Sequence, residues 1–191
     1  MKMVELLKGL DCCRFSGNLQ EEILQVTHDS RAVERGALFV AVEGYREDGH
    51  AYIDDAISKG AVAVAAERMV ASEKFRLRDA PLVSLIVTPN SRRFMAMVGE
   101  RFYGNPSRAL RLVGVTGTNG KTTTSYLTEA ILAASGRRTG LIGTINYRYG
   151  GKVMPAGQTT PESLDLQRIF HEMVLAGLDS CVMEVSSHSL E

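Results

Sequence analysis

The stretch Thr116-Gly117-Thr118-Asn119-Gly120-Lys121-Thr122 constrains this chain more than any other. Before it, the apolar run at 112–116 reads as a strand; after it, 121–135 has helical spacing and is closed by Gly136. A Gly-rich loop between a strand and a helix can wrap its backbone N–H groups around phosphate. Gly117 and Gly120 allow close approach, with Thr118, Asn119 and Thr123 completing the candidate phosphate contacts. Lys121 can reach terminal phosphate oxygens as the candidate catalytic residue, and the Thr122 hydroxyl is placed to bind Mg2+. The general P-loop pattern wants Gly five positions before Gly120, but Val115 stands there and Gly114 comes one residue too early, so the loop is a variant. The competing view is a Gly-rich turn with an exposed lysine. Gly-Lys-Thr-Thr-Thr in a strand–loop–helix setting disfavours it.

The surrounding chain alternates strand and helix. Apolar runs at 36–42, 61–65, 81–87, 139–145 and 181–185 read as strands, the last carrying the charge of Glu184. Helical spacing appears at 50–59, 91–103 and 161–176, each followed by a Gly. Such alternation predicts layered α/β sheets. Gly104-Asn105-Pro106-Ser107 is a concentrated turn signal, which puts the expected domain boundary after 106. The expected second domain, 107–191, has few strands for a nucleotide-binding sheet, so the chain is expected to be truncated.

Lys plus Arg and Asp plus Glu both number 22, which leaves no global field to attract nucleic acid or an acidic membrane. An anionic ligand must be held locally. Cys12, Cys13 and Cys181 form no CxxC pair, an odd set that fits a reducing compartment and suggests no metal site. The charged start lacks a signal-peptide pattern, and no run reaches the roughly 20 apolar residues of a membrane span. A soluble, cytoplasmic protein is expected.

Gly-Thr-Asn-Gly-Lys-Thr-Thr is similar to the ATP loop of the Mur ligases and the related folylpolyglutamate synthetases. Thr159-Thr160-Pro161 and the segment from Met183 through Glu184-Val185-Ser186-Ser187-His188 to Leu190 resemble the tripeptide-forming branch of the Mur ligases. Thr27-His28-Asp29-Ser30-Arg31, the strand and turn at 37–44, and Asp48-Gly49-His50 resemble that branch's UDP-binding domain. The resemblance implies a small N-terminal UDP-binding α/β domain, 1–106, followed by an incomplete P-loop-type parallel-sheet ATPase domain. It also implies an ATP- and Mg2+-dependent amide ligase of peptidoglycan precursor synthesis. Such a ligase joins meso-diaminopimelate or L-lysine to UDP-N-acetylmuramoyl-L-alanyl-D-glutamate through an acyl phosphate.

Glu184 is the candidate second Mg2+ ligand, because a carboxylate ending an apolar strand is costly to bury unpaired and strand carboxyl ends are where α/β ligands sit. The alternative is a solvated strand-end carboxylate. Thr159 and Thr160 are candidate substrate contacts by resemblance; by residue type alone they would cap the helix that follows. Ser186 resembles a muramoyl-peptide contact and Ser30 a contact at the uracil end, although serine is also common in turns. Asp29 and Arg31 are most simply an ion pair. His188 is expected to pack or line the substrate edge rather than bind metal, and His28, His50 and His171 to be structural or exposed. A standalone binding module is the other class of function, and a folylpolyglutamate synthetase-like ligase a weaker rival. The chain alone is expected not to ligate, since the motifs present serve phosphate and UDP-sugar.

Overall fold

The computed structural model describes residues 1–10, 14–44, 47–68 and 83–189. Cys12, Cys13, Pro81 and Leu82 lie outside the described residues, as do Leu190 and the side chain of His188. The chain divides into two compact units, Met1–Phe102 and Tyr103–Glu191. The division falls just ahead of the Gly104–Ser107 turn.

The first unit contains α1 (Met3–Leu7), β1 (Arg14–Ser16), β2 (Gln25–Thr27), β3 (Ala37–Val40), α2 (Ile53–Ser58), β4 (Ala61–Ala66), β5 (Ser84–Val87) and α3 (Ser91–Phe102). Its sheet runs β1-β5-β4-β3-β2, with β2 to β5 parallel and β1 antiparallel to β5. Every residue of β3 is buried, as expected for a continuous apolar run inside a parallel sheet covered on both faces. One face packs Phe39, Val64 and Leu85 against Ile53, Ala56 and Ile57 of α2. α3 turns Phe94, Met95 and Val98 inward and lies against α1 and β2, while the Arg101 guanidinium donates to the Leu6 carbonyl at 2.8 Å, where α1 ends.

The expected helix at 50–59 is shorter and starts differently. Asp48 accepts the His50 N–H and sets a 3-10 turn, Gly49–Tyr52, before α2 begins. α1, β1 and β2 were not expected from periodicity, because segments of three to five residues are too short to show a period.

The second unit contains β6 (Arg111–Val115), α4 (Lys121–Ala134), β7 (Thr139–Ile142), β8 (Asn146–Tyr149), β9 (Lys152–Pro155), α5 (Ser163–Leu175) and β10 (Ser180–Glu184). Its sheet order is β6-β10-β7-β8-β9. β6, β10 and β7 are parallel, whereas β8 and β9 form an antiparallel hairpin on β7. Both sheets are therefore mixed, and mostly parallel in the strands that matter for the site. α5 places Ile169, Phe170 and Met173 over Ile142, Cys181 and Met183. Burial pushes the Cys181 thiol up to about 12, which makes it an inert core residue.

Two expectations in this unit need correcting. The strand proposed for 139–145 ends at Ile142, because the chain turns at Gly143-Thr144 to meet Glu184. The hairpin at 146–155 was not anticipated, although Tyr149-Gly150-Gly151-Lys152 carries its signal. With Tyr149 opposite Lys152, the two glycines are the whole loop, and both have positive φ as a type I′ turn requires.

Candidate functional site

In the second unit, parallel pairing puts the carboxyl ends of β6, β10 and β7 on one side of the sheet, where ligands of open α/β sheets bind. The loop at 116–120 leaves β6 there, Gly143-Thr144 leaves β7, and Val185-Ser186 leaves β10. All five loop residues are exposed. Gly120 is the N-cap of α4, with φ 78°, and α4 starts at Lys121. The helix dipole thus adds to the backbone N–H groups in favouring an anion at this end. Lys121 arches over its own loop, its Nζ donating to the Gly117 carbonyl at 2.7 Å.

Thr122 and Glu184, distant in sequence, meet here. The Thr122 hydroxyl donates to Glu184 Oε2 at 3.0 Å. Glu184 is only 1% exposed, which removes the alternative of a solvated strand-end carboxylate. Its other donors belong to Thr144: the backbone N–H reaches Oε1 and the hydroxyl reaches Oε2, each at 3.0 Å. These three donors are uncharged, and among the described residues Glu184 has no ion pair. The turn also needs Gly143, because a Cβ there would lie 2.4 Å from Glu184 Oε1.

Thr159 and Thr160 do not cap α5, which begins at Ser163 with Glu162 as its N-cap. Capping requires the residue next to the first turn, and the helix starts too late for either threonine. Thr160 instead ties the loop to the end of β10, its hydroxyl donating to the Glu184 carbonyl at 2.9 Å and accepting the Ser186 N–H at 3.0 Å. The Thr159 hydroxyl lies 3.2 Å from that of Thr144. Ser186 keeps its own hydroxyl on Ser189. Tyr147 of β8 holds the same loop from below, donating to the Gln158 carbonyl and accepting its N–H. On the other face of β8, Asn146 accepts from the Tyr126 hydroxyl of α4 at 3.1 Å, and Arg148 pairs with Glu129.

Thr144 and Tyr147 were missed by the sequence reading. Gly-Thr after an apolar strand in a parallel sheet was the available signal for Thr144, since that is where a strand leaves the sheet toward the ligand side. Nothing in the local pattern marks Tyr147, whose role depends on the hairpin register.

In the first unit, Ser30 follows β2 and is buried. Its carbonyl accepts the Lys59 ammonium at 2.9 Å, and its hydroxyl bonds Asp55. Asp29 and Arg31 form the expected ion pair at 2.8 Å, and the Arg31 guanidinium on Asp29 lowers its pKa to about 2. His50 is buried and structural: Nδ1 lies 2.6 Å from Asp48, while Nε2 accepts the Glu67 N–H at 3.2 Å. The His50 N–H and ring together with Arg68 hold Asp48 down at about 2. His28 Nδ1 is buried with no hydrogen-bond partner among the described residues, and His171 packs against Tyr103. Among the described residues no helix is long and apolar enough to cross a membrane, and among them no group of three or more His, Cys, Asp and Glu is placed to hold a metal.

Comparison with known proteins agrees with this architecture. Residues 22–103 match the family model described as Mur ligase family, catalytic domain, and residues 115–191 match the Mur ligase middle domain. The UDP-N-acetylmuramoyl-L-alanyl-D-glutamate--2,6-diaminopimelate ligase of Alkaliphilus oremlandii is 45% identical over 191 residues, covering 100% of this chain and 38% of that enzyme. A solved structure of a ligase with the same name superposes with TM-score 0.77 at 25% identity, covering 100% of this chain and 37% of its own. MurF ligase from Thermotoga maritima in complex with ADP gives TM-score 0.56 at 26% identity, over 85% of this chain and 32% of that one. The chain thus spans little more than a third of the length of the relatives it matches. With matching models over both units and a fold shared along its whole length, the chain belongs to the Mur ligase family and carries its N-terminal domain and the start of its middle domain.

Proposed function

We propose that the second unit binds the phosphates of MgATP and that the first takes the uridine end of UDP-N-acetylmuramoyl-L-alanyl-D-glutamate. Both serve a ligase that adds 2,6-diaminopimelate to the D-glutamyl residue. The observation that carries the nucleotide half is the meeting of Thr122 and buried Glu184 beside the exposed loop. A carboxylate taken out of water with only neutral donors favours a cation beside it. Mg2+ is commonly held by one or two protein oxygens plus phosphates and water, so the donor pair Thr122 and Glu184 fits it without a larger cluster. When bound, the metal would neutralise charge on the terminal phosphates.

This chain's residues then have distinct tasks. Gly117, Thr118, Asn119 and Gly120 present backbone donors to the phosphates, with Thr123 at the start of α4 completing the cradle. Lys121 leaves the Gly117 carbonyl to follow the γ-phosphoryl group as it moves to the D-glutamyl γ-carboxylate, breaking the bond to ADP and forming an acyl phosphate. An amine of diaminopimelate displaces inorganic phosphate and loses a proton to give the amide. Thr159, Thr160 and Ser186 take the muramoyl-peptide, and Ser30 serves the uracil end. The names of the relatives support diaminopimelate over lysine. Support for the nucleotide comes from the ADP in the Thermotoga maritima structure.

Thermal-shift titration tests this reading, because a ligand that binds only the native state raises its midpoint. MgATP and UDP-N-acetylmuramoyl-L-alanyl-D-glutamate should each stabilise the wild-type chain. Lys121→Ala should weaken the nucleotide effect and spare that of the UDP-sugar. Equal nucleotide shifts in the two proteins would remove Lys121 from its role.

A further inference from the structure

Thr144 stands between the two halves of the site, and its hydroxyl has more partners than protons. Oγ1 lies 3.0 Å from Glu184 Oε2 and 3.2 Å from Thr159 Oγ1. Both contacts have Thr144 as the donor, and its hydroxyl carries one proton, so while Glu184 holds that proton Thr159 receives none. Thr159 then lacks the donor that would orient its own hydroxyl. Glu184 Oε2 is meanwhile shared by two hydroxyls, those of Thr122 and Thr144.

We infer that Thr144 is a positioning residue, a hydroxyl relay that couples metal-nucleotide binding at Glu184 to anion or sugar-oxygen binding at Thr159. The inference rests on the functional reading above and adds a direction to it. Glu184 facing a cation turns its Oε2 lone pairs toward that charge and releases the Thr144 proton. Thr144 rotates its O–H toward Thr159 without moving the backbone, since its N–H stays on Oε1. Thr159 accepts that proton and presents its own to an oxygen of the muramoyl-peptide substrate. Only hydroxyl rotations are involved, and no proton changes owner. The relay is reachable from solvent, because Thr144 is exposed and Thr159 half-buried. Gly143 is the structural condition for it: any Cβ there would drive Glu184 off the position that both threonines share.

The coupling is measurable because linkage is reciprocal: the factor by which one ligand tightens the other is the same in both directions. Isothermal titration of the 191-residue chain with UDP-N-acetylmuramoyl-L-alanyl-D-glutamate, without and with saturating MgADP, should show tightening of about five- to tenfold, the lower range of known couplings. ADP with EDTA should give little of it. Thr144→Val keeps the shape and the N–H but has no hydroxyl, and its factor should fall toward one. Thr144→Ser should restore it, a rescue that a merely structural role for the Thr144 methyl would not give. Thermal midpoints of both variants verify folding. An undiminished factor in Thr144→Val, or the absence of coupling in a wild type that binds both ligands, overturns the relay alone. Failure of the wild type to bind MgADP at all overturns the functional reading, and the relay with it.

Discussion

Each unit ends its sheet on a strand that joins the parallel set, β2 in the first and β6 in the second, and the two edges are treated differently. β2 is covered by α3 and buries Val26 and Thr27, whereas β6 buries none of its residues and leaves Leu112 39% exposed. Leu112 pairs with Cys181 and Val113 with Val182, so successive β6 side chains take opposite faces of the sheet, and both faces are wet. α4 continues the contrast, with Ser125 its only buried residue and Leu127 and Ile131 at 60% and 68% exposure. The candidate side chains follow the same division. Ser30 and His50 are tied into the first unit by internal bonds, while the loop at 116–120 stands open to solvent. A closed unit can place a ligand through backbone shape; an open one offers exposed donors whose surroundings are less filled.

The largest test of this contrast is Phe39→Ala, which empties the middle of β3. Removing a fully buried aromatic costs about 3–5 kcal/mol, and the loss should appear as faster hydrogen exchange confined to 1–102. Acceleration spread equally over both units would mean that they do not unfold separately. Gly143→Ala should cost less, about 1–3 kcal/mol for overpacking, but should abolish stabilisation by MgADP in a thermal shift, because Glu184 is displaced from Thr122. Retained MgADP stabilisation would show that Glu184 can shift without loss. The smallest effect belongs to Leu127→Lys with Ile131→Lys. Exposed positions tolerate substitution within about 0.5 kcal/mol, so the urea midpoint should hardly move while binding of a hydrophobic dye falls. A loss well above 1 kcal/mol would show that the open face carries packing after all.

The legible parts of this fold were those with a long enough pattern. β3, β4, α3, α4 and α5 are continuous apolar runs or amphipathic helices, and each appears within a few residues of its expected position. The short α1, β1 and β2 escaped because a period cannot be read from so few positions. The β8–β9 hairpin escaped for another reason: its Gly-Gly turn was present, but the apolar residues around it are sparse and alternate with polar ones. In the site, the loop from Gly117 to Thr122 and the exceptional carboxylate of Glu184 were both visible in the chain. Thr144 was not, since a threonine after a glycine has many ordinary explanations until a partner is seen.

By itself, then, the sequence determined the Gly-rich candidate loop, the α/β alternation and the candidate carboxylate, because backbone donors, hydrophobic periods and a charge in an apolar run are local properties. Only the tertiary structure decided that Thr160 bonds the end of β10 instead of capping α5, and that Gly143-Thr144 closes around Glu184. Those outcomes depend on which strand carboxyl ends lie side by side and which face finds a partner. Both are set by pairing between segments far apart in the chain, where local chemistry carries no record of the neighbour.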